Sequence, residues 1–83
     1  MDKTVWKLRS LLEREGISAY ALAKTIANDA QPNTVYRLVR SGKEPKRVDL
    51  NTLTIIIKGL RNMTGRKYAI SDILEFQESQ DND

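Results

Sequence analysis

Apolar residues recur at intervals of three and four positions along most of the 83-residue chain, and this spacing constrains the fold more than any other feature. Residues three, four and seven positions apart share one face of an α-helix. Glycines, a proline and polar turns divide the chain into five such segments. The sequence therefore predicts a compact all-α domain of five helices over residues 1–76, followed by a disordered acidic tail over residues 77–83.

Capping residues indicate where the predicted helices begin and end. Gly16 suits the left-handed position after a helix, Ser18 is a good N-cap, and Pro32 fits a first helical turn because its missing N–H needs no partner there. The helices are predicted over residues 3–15, 19–27, 32 to 40 or 41, 49 to 62 or 63, and 72–76. Gly59 lies inside the fourth helix, where we expect it to allow close packing.

Missing residue types exclude several chemistries. The chain has no cysteine and no histidine, which excludes disulfides, thiolate or imidazole metal sites and Ser-His catalysis. No paired-carboxylate or phosphate-loop spacing is visible, so we expect neither an enzyme nor a bound cofactor or metal. No apolar run approaches the ~18 residues of a membrane span, and the N-terminus has no signal-peptide pattern. These features predict a cytoplasmic protein with no membrane partner.

The charge of the chain is unevenly distributed. The tail contains three of the 11 acidic residues and no basic residue, so residues 1–76, with 14 basic and eight acidic residues, carry a net charge of +6. The basic residues form two clusters, one of Arg37, Arg40, Lys43, Lys46 and Arg47 and the other of Lys58, Arg61, Arg66 and Lys67. Clustered cations suit a phosphate backbone, although charge alone leaves solvated helix faces as the alternative.

The predicted third helix has one apolar face and one polar face. At ~100° per residue, Val35, Leu38 and Val39 cluster on one side. The opposite side has no acid and presents amide, phenol and guanidinium groups, from Asn33, Tyr36, Arg37 and Arg40. Arginine pairs with guanine, and asparagine with adenine, in the major groove of DNA. This face therefore has the hydrogen-bonding groups that a recognition helix needs.

Several short motifs, taken in order, resemble one known family. They are Leu22-Ala23-Lys24, Pro32-Asn33-Thr34-Val35-Tyr36-Arg37-Leu38, the Gly42-Lys43 stop, the spaced Leu53, Ile56 and Leu60, and Ile70-Ser71-Asp72-Ile73-Leu74. Over about residues 5–76 their order and spacing resemble the phage-repressor-type helix-turn-helix domains, the Cro and lambda-repressor-like class. The resemblance implies a five-helix fold and a transcriptional regulator, with repression as the expected mode, that places residues 32–41 in the major groove of double-stranded DNA.

The resemblance also implies which residues contact the DNA. The implied base contacts are Gln31, Asn33, Thr34 and Arg37. The implied phosphate contacts are Ser18, Arg40, Ser41, Lys43, Lys46 and Arg47. Members of the family usually bind pseudo-palindromic sites as dimers, so a homodimer is implied. A phage repressor, a restriction-system controller and a toxin–antitoxin antitoxin all fit this description.

A protein-interaction module is the alternative that the sequence leaves open. The same helical fold could use Trp6, Tyr36 and Phe76 to hold a protein partner, such as a toxin or a polymerase, in the manner of an antitoxin or adaptor. The acidic tail could then bind a basic surface. Salt separates the two hypotheses, because affinity for DNA falls steeply with salt concentration, whereas an interaction module binds little DNA even at low salt.

Overall fold

A computed structural model describes residues 2–40, 42 and 45–78 of the chain. In chain order the elements are the strand β1 (Lys3–Trp6), the helices α1 (Leu8–Glu15), α2 (Ala19–Thr25), α3 (Pro32–Leu38) and α4 (Leu50–Thr64), a 3₁₀-helix (Ile70–Asp72) and the strand β2 (Leu74–Gln77). The two strands pair into an antiparallel sheet, with Thr4 opposite Phe76 and Trp6 opposite Leu74. The first and last elements of the described chain therefore lie side by side.

This sheet shows that the prediction of an all-α, five-helix domain is wrong. The first predicted helix, residues 3–15, begins as a strand, and the fifth, residues 72–76, is replaced by the 3₁₀-helix and β2. Lys7 donates its N–H to the main-chain oxygen of Ile73 at 2.6 Å, which extends the link between the two ends. β-Branched and aromatic residues in β1 favour extended backbone, and a partner strand at the other end of the chain is invisible to local periodicity.

The three middle helices, α2, α3 and α4, begin where the sequence predicts. Ser18 caps α2, because its Oγ accepts the N–H of Ala21 at 3.0 Å. Pro32 lies in the first turn of α3, and Asp49 caps α4 by accepting the N–H of Thr52 at 3.1 Å. These starts are confirmed to within one residue, whereas α2 and α3 end slightly earlier, and α4 slightly later, than predicted.

One hydrophobic cluster unites the four helices and the sheet. Its most buried members come from every α-helix and from Ile73, and Trp6 and Leu74 pack against it. Gly59 of α4 is buried, and a Cβ at this position would collide with the Cγ2 atom of Ile26, just after α2. The expectation that Gly59 allows close packing is therefore confirmed, and this contact sets the approach of α2 to α4.

The predicted acidic tail lies mostly outside the described residues. Gln77, which the sequence prediction places in the tail, is the last residue of β2, and residues 79–83 are not among those that the structure describes. Within the described ranges, no helix combines the length and the apolar character needed to cross a membrane.

Candidate nucleic-acid interface

The two faces of α3 differ in burial as the sequence pattern predicts. Val35 is completely buried and Leu38 is 8% exposed, and both belong to the hydrophobic cluster. Asn33, Tyr36 and Arg37 are exposed. The amphipathic character of α3 is therefore confirmed, and its amide, phenol and guanidinium groups lie on the surface.

Neighbouring elements hold α3 at both ends. α2 packs against it, and the turn between the two helices is closed by Asp29 and Ala30, whose N–H groups both donate to the main-chain oxygen of Ile26 at 2.9 Å. At the other end, the indole Nε1 of Trp6 donates to the main-chain oxygen of Leu38 at 2.6 Å. The exposed face of α3 is thus presented by a helix whose position is fixed by α2 and by the sheet.

A surface groove of about 330 Å³ runs beside α3. Its lining includes Thr34, Arg37 and Arg40 together with Arg47, Asp49 and Thr52. Arg40 lies beyond the C-terminal end of α3, and Arg47 lies two residues before Asp49, the N-cap of α4. The structure therefore brings together two residues predicted to contact bases, Thr34 and Arg37, and two predicted to contact phosphates, Arg40 and Arg47.

Asp49 is an acid in the lining of this groove, and its capping bonds favour the charged form. The Thr52 hydroxyl donates to the carboxylate at 2.6 Å, and the Thr52 N–H donates at 3.1 Å. These bonds lower the pKa of the Asp49 carboxyl below its ordinary value of 3.8. Asp49 is therefore ionised at neutral pH and offsets one of the three arginines, which leaves the described residues of the lining with a net positive charge.

A second groove, of about 440 Å³, adjoins the first and shares Arg47 with it. Lys46, Thr4 and Trp6 also line this groove, so the sheet lies next to the two basic residues Lys46 and Arg47. Sequence reasoning missed this neighbourhood because it assigned Thr4 and Trp6 to a helix. The β propensity of the short run before Lys7 was the signal that could have indicated a strand.

Among the other predicted contact residues that the structure describes, Gln31, Asn33 and Ser18 do not line the groove beside α3. Gln31 and Asn33 are exposed at the N-terminal end of α3. Ser18 is exposed and caps α2 with its Oγ, and it lines a different groove, beside α1. Ser41 and Lys43 lie outside the described residues.

The chemistry of the groove suits hydrogen bonding to an anionic partner. Each guanidinium carries five N–H donors and no acceptor, and Thr34 adds a hydroxyl group. Across residues 2–40, 42 and 45–78, no group of three or more potential metal ligands is placed to hold an ion.

Comparison with known protein families, curated protein sequences and solved structures found no match to this chain. The geometry and charge of the groove are therefore the observations that bear on its function.

Proposed function

We propose that the chain binds double-stranded DNA in a sequence-specific manner and acts as a transcriptional regulator, with repression as the expected mode. In this proposal α3 is the recognition helix and enters the major groove, and the protein works in the cytoplasm, associated with the nucleoid. The observation that carries the proposal is the exposed, acid-free polar face of α3 beside a groove that collects Arg37, Arg40 and Arg47.

The exposed residues of α3 have distinct roles in this proposal. Arg37 pairs with the O6 and N7 atoms of a guanine, a contact that discriminates against other bases by ~1–3 kcal/mol. Gln31 and Asn33 lie at the N-terminal end of α3, which is the end that recognition helices direct toward base edges. Thr34 borders the groove and contacts a thymine methyl group or a phosphate.

The cations around the groove supply affinity that does not depend on sequence. Three exposed cations surround the groove, namely Arg40, Lys46 and Arg47. Within the described residues, none of them forms an ion pair with a carboxylate. Each phosphate contact releases condensed counterions and adds ~0.9 to the slope of log affinity against log salt concentration. These three cations therefore account for a slope of about 3, and Ser18, Ser41 and Lys43 remain proposed phosphate contacts.

A homodimer on a pseudo-palindromic site is part of the same proposal. Helix-turn-helix dimers place their two recognition helices in successive major grooves, ~34–36 Å apart. The oligomeric state of the chain, alone and with a two-half-site duplex, is measured by sedimentation velocity. One protomer per duplex at saturation would remove the dimer from the proposal and leave DNA binding in place.

Selection from a pool of random duplexes, followed by a salt titration, tests the proposed function. The chain is expected to enrich a defined sequence, and its affinity for that duplex is expected to fall steeply with rising salt. A scrambled duplex of the same composition is the control and should bind more weakly by a factor of ~10³ or more. An unenriched pool, together with negligible binding at low salt, would reject the proposal.

Exposed aromatic side chains favour a protein-interaction module as the second candidate. Phe76 is 60% exposed and Tyr36 is 38% exposed, so both are accessible to a protein partner such as a toxin or a polymerase. Trp6, the third aromatic residue of this hypothesis, is instead half-buried and hydrogen-bonded to Leu38. Negligible DNA binding at low salt in the same titration would favour this candidate.

A further inference from the structure

The outward face of α4 carries a basic groove separate from the one beside α3. It has a volume of about 380 Å³ and is lined by Lys58, Arg61, Asn62, Gly65, Arg66 and Lys67. None of these residues is acidic, and none of them lines the groove beside α3. This is the second basic cluster of the sequence, and the proposed role of α3 does not use it.

Helix geometry fixes three of these side chains on one surface. Lys58, Arg61 and Asn62 are spaced three and four positions apart, so they share one face of α4. Ile56 and Leu60 of the same helix are buried in the core, on the opposite side. The packing that buries the apolar face of α4 therefore also presents this polar face to the surface.

The positive charges of this face are largely uncompensated. Lys58, Arg61 and Lys67 are exposed, and within the described part of the chain none of them is ion-paired with a carboxylate. Arg66 differs, because its Nη1 atom donates to the carboxylate of Glu15 at 3.1 Å. Glu15 is only 10% exposed, so this contact anchors Arg66 at the edge of the groove.

The chemistry of the lining distinguishes a nucleic-acid backbone from a protein partner. Ammonium and guanidinium groups are hydrogen-bond donors without acceptors, and phosphate oxygens offer acceptors only. Protein interfaces instead place aromatic and apolar anchors at their centre and deplete charged residues there, and this lining contains neither aromatic nor aliphatic residues. We propose that the outward face of α4, through Lys58, Arg61 and Lys67, binds a nucleic-acid phosphate backbone without sequence preference, as a contact additional to that of α3.

The two contacts are well separated along α4. Asp49, which caps the N-terminal end of this helix, lines the groove beside α3, whereas Gly65 follows the C-terminal end and lines the basic groove on the outward face of α4. A helix of 15 residues is ~22 Å long. The additional backbone is therefore either a flanking part of the duplex that α3 contacts or a second duplex. The ligand class follows from the proposed DNA binding, on which this inference rests.

Salt-dependent binding of random-sequence duplex tests the inference on the full chain. The variant K58A/R61A/K67A is compared by fluorescence anisotropy with K3A/R9A/R14A, which removes the same charge from β1 and α1. Loss of three phosphate contacts is expected to lower the salt slope by about 2–3, and the control is expected to keep the wild-type slope. The single variant Arg61→Lys, which keeps the positive charge, is also expected to keep the wild-type salt slope. Equal slopes for the two triple variants would overturn the inference.

Two further binding experiments identify which DNA supplies the phosphates and test whether an acidic protein is the partner instead. A slope difference seen only on duplexes of roughly 30 base pairs, and not on duplexes of roughly 10, assigns the contact to flanking DNA. A difference on both lengths, with capture of one duplex by another, assigns it to a second duplex. If instead K58A/R61A/K67A loses binding of a polyglutamate peptide while its DNA slope is unchanged, an acidic protein is the partner and the inference fails.

The outcomes for α4 and for α3 can be told apart. If the chain enriches no sequence from the random pool, the sequence-specific function fails, yet the slope difference between the two triple variants still measures the α4 contact. If the chain enriches a sequence and K58A/R61A/K67A behaves like its control, the α4 contact fails and the role of α3 stands.

Discussion

The indole of Trp6 ties the sheet to the end of α3, and removal of its N–H is expected to weaken the fold. The Nε1 atom donates to the main-chain oxygen of Leu38 at 2.6 Å, and Leu38 is the last residue of α3. The last carbonyl groups of a helix have no partners within the helix, so this bond satisfies an acceptor that α3 leaves open. Trp6→Phe keeps an aromatic ring and removes the donor.

Two losses add up in this variant. An unsatisfied buried acceptor costs ~1–3 kcal/mol, and the lower part of that range, ~1–2 kcal/mol, applies here because the bond is part-buried and water can reach it. The smaller ring also gives up apolar contact with the core, which contributes ~0.5–1 kcal/mol. The expected total is ~1.5–3 kcal/mol. In a domain of this size, 1 kcal/mol lowers Tm by ~4–8 °C, so Tm should fall by roughly 6–24 °C.

Thermal unfolding followed by far-ultraviolet circular dichroism measures this effect, since Trp6 is the only tryptophan and its fluorescence disappears in the variant. Tyr20→Phe is the matched control, because it also removes a polar atom from an aromatic side chain but at a position that is 64% exposed. The control should change stability by no more than ~0.5 kcal/mol. A Trp6→Phe protein as stable as the wild type would refute the reasoning that β1 holds α3.

Two other substitutions test the packing and capping of α4. Gly59→Ala should lower stability by up to ~2 kcal/mol in urea unfolding, since the collision with Ile26 costs ~1–3 kcal/mol and higher helix propensity returns ~1 kcal/mol. A variant more stable than the wild type would contradict the close packing. Asp49→Asn keeps a good N-cap but cannot titrate. The Thr52 hydroxyl, and after it the Thr52 N–H, lowers the pKa of Asp49 in the folded state. The Asp49 carboxylate therefore stabilises the fold at pH values above the pKa of Asp49 in the unfolded chain. This stabilisation is lost as the pH falls through the lower pKa that Asp49 has in the folded state. The wild type should therefore lose stability relative to Asp49→Asn below about pH 4. A difference in unfolding free energy between the two proteins that stays constant from pH 6 to pH 3 would contradict this prediction.

Local signals were sufficient for the middle of the fold and misleading at its ends. Ser18 and Asp49 each cap a helix by accepting an N–H from the residue three positions later, and Pro32 suits a first helical turn because it needs no partner for an N–H. The sequence alone therefore locates those starts. The pairing of Lys3 with Gln77 depends on residues at opposite ends of the chain. Two four-residue strands are too short for periodicity to distinguish them from helical turns, and the prediction of an all-α fold failed there.

The sequence was sufficient to predict the exposed polar face of α3 but not the groove beside it. The spacing of Val35 and Leu38 is enough to place Arg37 on the exposed side of α3, because a helix has a fixed periodicity. The approach of Arg47 to Arg37 in one groove depends on where residues 45–49 lie relative to α3, which no local pattern indicates. The hydrogen bond from Trp6 to α3 likewise depends on the strand pairing that the sequence pattern concealed.

The most direct test of the claim that α3 contacts bases is a base-by-base binding comparison of Arg37→Ala with the wild type on the selected duplex and its single-base variants. Arg9→Ala, the same substitution on α1, is the control. We expect Arg37→Ala to lose ~1–3 kcal/mol on the selected duplex and to lose discrimination at one base position, while the control binds like the wild type. Equal weakening on every duplex would make Arg37 a phosphate contact, and unchanged binding would remove α3 from the interface and contradict the account.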